Sequence, residues 1–358
     1  MSTELAEAFP VGEFLAEELE ARSWTQTEFA EILGRPTQFV SEIIAGKKEI
    51  TRESAAQIAA AFGGSPTKWL KLQDSYHLWR QQQDPTRRSG LEDVELRAKL
   101  NERAPMSVLR KRGIITARSP QDQCSQLLQL LGTHSLEEEP WFGEAARRSN
   151  SKEKLSPTQV AWLACVRQKA RELEPGAFEP ERLEQLGRRL SQIVSTPAGF
   201  RDLPAQFAEV GVRLVYVEAF PSSKIDGASL PGDDGSPIIG LSGRWLRLDK
   251  VLFTLLHEIA HIVLGHLAQG VPIIDENGDE ESPQEEDANK QAAGWALPAG
   301  LPDRVPGQVS QAWVNAVARE QGVHPMTVVG RLQKIGKVGW RTALVSNAPN
   351  ATDHLRSW

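Results

Sequence analysis

Cysteine and tyrosine are scarce in this sequence, with two of each in 358 residues. Cys124 and Cys165 alone cannot build a disulfide framework or a cysteine-based zinc knuckle, and so few thiols fit a reducing compartment. No run of eighteen apolar residues occurs, and Met1-Ser2-Thr3-Glu4-Leu5 lacks the basic and apolar segments of a secretory signal. The expectation is a cytoplasmic protein with no membrane segment. A basic excess is also missing: 41 Lys and Arg face 47 Asp and Glu, for a net charge of −6. Any contact with nucleic acid must therefore come from a local surface. The rest is ordinary globular composition, 40% apolar and 25% charged, long enough for two or three domains with their own cores.

The most informative segment is Leu256-His257-Glu258-Ile259-Ala260-His261-Ile262-Val263-Leu264, an HExxH pattern inside an apolar run. Four residues along a helix is a rotation of about 400°, so His257 and His261 leave the same face one turn apart and can grip one metal ion. Zinc takes imidazole nitrogens in a tetrahedral arrangement and, in a catalytic site, keeps one position for water. Glu258 stands beside that water as general base, while the metal lowers the water's pKa from about 15.7 toward 7. The competing reading, two ordinary core histidines, must bury His, Glu and His together without a cation, which a core tolerates poorly.

The spacing excludes one class of zinc site. A metzincin needs a histidine six residues after the second, and that position is Leu267. His266 is one residue short and reads as a surface or helix-end residue. A third donor is better sought downstream, in the run from Pro283 to Pro298. Strands are expected at 212–217 and 237–241, with a Gly- and Asp-rich turn region at 226–235 between them, and an edge strand could hold an extended peptide. Tyr216 and Arg247 are within sequence range of an oxyanion, with packing the commoner role for Tyr216. The acidic run Asp275-Glu-Asn-Gly-Asp-Glu-Glu-Ser-Pro283 either gates a cleft, draws basic substrate segments, or is simply solvated.

Taken together, Phe253-Thr254, His257-Glu258, His261, Glu285, Ala288-Asn289, Ala292 and Pro298 resemble the ImmA/IrrE metallopeptidase family over residues 200 to 340. The resemblance implies Zn2+ as cofactor, Glu285 as third ligand, Asn289 as an outer residue orienting a ligand histidine, and Glu286 as fallback if helix phase is misjudged by one. Gln291 stands where relatives often carry an aromatic.

The N-terminal region reads as short helices. Val11 to Ala21 has an apolar stripe, Thr25-Gln26-Thr27-Glu28 fits a capping box, and Gly34 stops the second helix. A third, at 37–45, turns Val40, Ile43 and Ile44 inward and leaves Thr37, Gln38, Ser41 and Glu42 outside. A fourth runs from Arg52 to Phe62. On spacing alone this is equally a helix-turn-helix or a bundle that binds nothing. The stretches Trp24 to Gly34, Val40 to Thr51 and Phe62 to Gln73 resemble the XRE/Cro family, in its HigA antitoxin-like branch. That resemblance implies double-stranded operator DNA as partner, a homodimer, Thr37, Gln38 and Glu42 at base edges, and Gln26 and Lys47 at phosphates. Residues 1–83 depart from the pattern with eight Lys and Arg against twelve Asp and Glu, which weakens the phosphate contribution. Residues 84–118 reverse the balance, nine to five, as a DNA-flanking segment or a solvated helical face.

The expected architecture is mainly α with a small β-sheet (α+β). It has a helix-turn-helix domain at 1–83, a helical linker region at 84–200 with helices at 158–173 and 180–193, a zincin-like peptidase domain at 201–340 and a tail at 341–358. A helix pair at 309–320 and 327–335 closes the peptidase domain or forms a second DNA-binding pair. The functional expectation is a transcriptional regulator with a zinc endopeptidase that cleaves a regulatory protein such as a repressor, the activity the resemblance ties to stress responses. The alternative is a HigA-like repressor whose zinc domain is a sensor or structural element. An adaptor with a degenerate DNA module is a third.

Overall fold

The computed structural model describes residues 7–140, 147–148, 155–269, 272–276 and 282–358. The chain divides into two compact units, Met1–Leu96 and Arg97–Trp358.

In the first unit, helices α1 (Val11–Ala21), α2 (Gln26–Leu33), α3 (Thr37–Ile44), α4 (Arg52–Phe62) and α5 (Pro66–Gln83) follow the apolar periodicity of the sequence. Thr25 and Glu28 close the expected capping box at α2, and Thr51 and Ser54 form another at α4. Leu15, Phe29, Val40, Ile43, Ile58 and Trp69 make one core, with the Phe29 and Phe62 rings stacked at 4.7 Å. Gln73 clips the loop after α3 by accepting from the Ile50 amide at 2.6 Å and donating to its carbonyl at 3.2 Å. A buried backbone segment outside any helix thereby keeps its polar groups satisfied.

The second unit is built on a mixed sheet in the order β1-β5-β3-β4-β2. β3 (Ile225–Pro231), β4 (Pro237–Leu241), β2 (Arg213–Tyr216) and β5 (Ile273–Glu276) form its body, and the two-residue β1 (Arg147–Arg148) is an edge. β3 is antiparallel to both neighbours, while β2 runs parallel to β4. Residues 226–231, expected in a turn, are thus the central strand, and the turn is confined to 232–236. Ala228, Ser229 and Gly227 are weak strand formers, but β3 is buried on both faces, and small residues are what two overlying helices permit there.

One face carries α9 (Pro157–Ala170), whose Trp162 indole donates to the Val217 carbonyl at 2.9 Å. The other carries α12 (Leu248–Val263), flanked by α10 (Pro180–Ile193) and α13 (Pro283–Ala296). Leu183, Leu190, Phe207, Leu214, Ile239, Leu252, Leu256, Ile259 and Trp295 share one core. Residues 97–194, read from sequence as part of a linker region, lie in this same compact unit. Between α5 and α9 run α6 (Pro85–Arg103), α7 (Met106–Lys111) and α8 (Pro120–Leu131), and α11 (Leu203–Glu209) precedes β2. The expected tail also packs: Ala351 and Leu355 enter the core, and Leu248 N–H donates to the Pro349 carbonyl at 3.0 Å. A smaller core joins Leu297 to α14 (Gln311–Gln321) and α15 (Pro325–Lys334). α15 packs on the start of α12 so closely that a Cβ on Gly330 would lie 2.6 Å from Asp249 Oδ2, so this helix pair closes the unit. The loop expected at 148–154 and the acidic run from Asp275 fall largely outside the described residues, at 149–154 and 277–281.

Candidate metal centre

α12 is amphipathic in an unusual sense: apart from Asp249 in its first turn, its buried face is apolar except for the HExxH side chains, and all three are buried. His257 is 2% exposed, His261 1% and Glu258 0%. The third donor arrives on α13. Ser282 caps that helix by accepting from the Glu285 amide at 3.3 Å, with Pro283 in the first turn. Glu285 is thereby fixed in the first turn, and its carboxylate lies against the histidines: Oε2 is 3.1 Å from His257 Nε2, and Oε1 is 3.2 Å from His261 Nε2. The two Nε2 atoms are 2.9 Å apart. Glu286, the fallback, is exposed.

These three atoms fit a metal. Ligands about 2.0–2.1 Å from a tetrahedral zinc stand roughly 3.4 Å apart, close to the triangle found here. Two imidazole nitrogens aimed at one another can share only one proton, whereas a central cation satisfies both and the carboxylate. Burial would raise the Glu285 pKa, but hydrogen bonds and charge from His257 and His261 outweigh it and hold the carboxyl at about 2. His257, His261 and Glu285 can therefore hold a metal ion.

Sequence reasoning missed the residue behind His261. His266, read as a surface or helix-end side chain, has its Nδ1 2.9 Å from His261 Nδ1. α12 ends at Val263 and the chain turns at Gly265, with φ +74°, which folds His266 back. The tautomer in which His261 donates through Nδ1 to His266 is the one that presents an Nε2 lone pair to a metal. Burial and the neighbouring His261 lower the His266 pKa, so its neutral form is favoured.

Glu258 faces β3. Ser229 donates to its Oε2 at 2.6 Å, and a Cβ on Gly227 would lie 2.7 Å from its Oε1. Glycine at 227 leaves room for this carboxylate. Of the two oxyanion candidates, Tyr216 lies in the main core, and Arg247 is held by Asp249 at 2.6 and 2.7 Å and by Gln333 at 2.8 Å. Asn289, one turn after Glu285, is half-buried and lines the same cleft as Glu285, a cavity of about 1340 Å3 between α12, α13 and α15.

In the first unit, Gln26, Thr37, Gln38 and Lys47 are exposed, as a nucleic-acid face requires. Glu42 is half-buried: Gln38 donates to it at 2.8 Å and Lys48 stands 3.4 Å away, and the Gln38 hydrogen bond lowers its pKa.

Residues 15–69 match the helix-turn-helix family. Among solved structures, the chain is similar to an addiction module antidote protein of a HigA family from Coxiella burnetii, at 32% identity over 25% of this chain and 95% of that one, with a TM-score of 0.23. A protein described as an antidote of a plasmid maintenance system from Nostoc punctiforme is similar at 32% identity over 25% of this chain and 97% of that one, also with a TM-score of 0.23. No curated protein matches the chain. The chain thus carries an N-terminal helix-turn-helix domain, a DNA-binding arrangement, beside a second unit containing a buried His-His-Glu group.

Proposed function

We propose that this protein is a DNA-binding regulator whose second unit is a zinc endopeptidase acting on another regulatory protein. The observation that carries the enzymatic part is the donor set: three side chains converge and, among the described residues, no fourth joins them. A structural zinc site closes all four positions with protein atoms, whereas a catalytic one keeps a position open.

A bound divalent cation supplies Lewis acidity, bringing a water within reach of ionisation near neutral pH. The chain's own residues supply the rest. His257, His261 and Glu285 would hold the ion, with His266 fixing the ring of His261 and Asn289 positioned one turn after Glu285. Glu258 removes the water's proton, the oxygen adds to the scissile carbonyl carbon, and Glu258 returns the proton to the departing amine nitrogen as the C–N bond breaks. The reaction consumes one water and leaves one carboxyl and one amino terminus. Ser229 keeps the Glu258 carboxylate oriented.

DNA binding by the helix-turn-helix brings enzyme and a DNA-associated target together, raising their effective concentration without new contacts at the site. Thr37, Gln38 and Glu42 are the proposed readers, Gln26 and Lys47 the phosphate contacts, and a homodimer on a two-fold operator the proposed assembly. The decisive measurement pairs metal analysis with proteolysis. Purified protein should contain about one zinc per chain and cut a co-expressed repressor pool, whereas Glu258→Gln should keep the zinc and lose cutting by about 10²–10⁴-fold. Zinc retained with no cutting by either protein returns the second unit to a sensory or structural role.

A further inference from the structure

The cleft that Glu285 lines, at about 1340 Å3, exceeds the roughly 300–1,000 Å3 of small-ligand pockets and suits a length of polypeptide. Its carboxylates are already engaged: Asp249 by Arg247 at 2.6 Å, Asp226 by Arg244 at 3.3 Å and by the Trp245 indole at 3.0 Å, and Glu285 by the histidines. Three of its four cations pair with none of these carboxylates. Lys250, Lys290 and Arg331 line the same cavity and make no ion pair among the described residues. Lys250 Nζ lies over the ring of Trp340, 4.5 Å from its centre, and Trp340 is itself 57% exposed, so a cation sits on one face of an aromatic ring that solvent still reaches. In the wall, the Thr327 hydroxyl is buried with no hydrogen-bond partner among the described residues.

We propose that this cleft selects an acidic polypeptide segment, with Asp or Glu side chains on Lys250, Lys290 and Arg331 and an apolar side chain on Trp340, from which the chain continues to the metal group. The inference rests on the peptidase reading of the same site and names its substrate class. A nucleic acid is the poorer occupant, because an uninterrupted run of phosphates asks for a continuous line of cations, whereas this wall intersperses its cations with Leu252, Phe253, Ala293 and Leu297. Carboxylates interspersed with apolar side chains match a wall of mixed character. This is the opposite polarity to the basic substrate that the acidic run from Asp275 suggests by itself.

The test uses full-length, zinc-loaded Glu258→Gln protein. It is titrated with a short fluorescein-labelled peptide of Glu, Leu and Phe, with the counterpart carrying Lys for Glu, and with a labelled single-stranded oligonucleotide. The acidic peptide should bind about tenfold more tightly than the basic one at low salt and weaken as salt rises, and Lys290→Glu with Arg331→Glu should erase the preference. Both reversed positions are exposed, and unchanged zinc content verifies the fold of the double variant. Equal affinity for the two peptides, acidic preference that survives the reversal, or oligonucleotide binding that the reversal abolishes overturns the proposal. Cleavage by the unsubstituted protein is read separately. Cutting without acidic selectivity sinks the cleft assignment alone, whereas acid-selective binding without cutting sinks the peptidase reading and leaves the cleft's ligand class intact.

Discussion

The two units put their polar side chains in opposite places. Among the described residues of the first, the buried polar side chains are Ser54 and Gln73, both neutral and both hydrogen-bonded to backbone. The second buries His257, Glu258, His261, Glu285, Asp226 and Asp249. Burying ionisable groups costs several kcal/mol each unless each meets a partner, so a fold tolerates such a cluster when the cluster is what the fold is for. The first unit can do its work on its surface, where Gln26, Thr37, Gln38 and Lys47 cost little stability. The second works from inside, and its packing is arranged around the site.

That contrast can be broken most directly at Glu285. Glu285→Ala should lower zinc affinity by more than about 100-fold, beyond the effect of an outer partner, while leaving DNA binding by the first unit unchanged; elemental analysis and an operator shift assay read the two halves. His266→Ala should cost about 10–100-fold in zinc affinity by freeing the His261 ring, and His266→Asn should recover part of that loss; competition with a chelator measures both. On the exposed side the changes are smaller. Lys47→Ala should weaken DNA binding uniformly across sequences and reduce the salt slope by about one, leaving thermal unfolding where it was.

The smallest effect concerns pH. At the turn after β3, Arg213 and Ser236 hold the Asp234 carboxyl below its ordinary value, and Arg167 and Arg171 do the same for Asp233. A carboxylate whose folded pKa is depressed contributes stability that is fully present above its unfolded value near 3.8 and is lost as pH falls through the folded one. Acid titration of the second unit should therefore show a modest loss below that point, smaller in high salt because these groups are solvent-exposed. Asp233→Asn together with Asp234→Asn should remove it, and either alone should remove part.

Much of the first unit was legible because its signals are local. The apolar stripe of α1, the Thr25 and Glu28 box and the stop at Gly34 each involve residues within one or two turns of each other. The i, i+4 histidine pair was legible for the same reason. Glu285 came from resemblance to a known family, since nothing in its own helix distinguishes it from Glu286. Residues 226–231 were misread because strand propensity describes an average environment, and a strand sandwiched by helices instead selects small side chains. His266 was missed because its return to His261 depends on the turn at Gly265, which spacing along a helix does not describe. Ser229 gave no sequence signal at all, since its relation to Glu258 exists only through the sheet.

Because the carboxylate comes from α13 and the imidazoles from α12, a denatured chain keeps only the histidine pair and must bind zinc far more weakly. On the proposed reading, ion and fold are thermodynamically linked: at free zinc one hundred times the dissociation constant, the native second unit would gain about 2.7 kcal/mol. Chelation would then lower the stability of this unit and leave that of the first where it was.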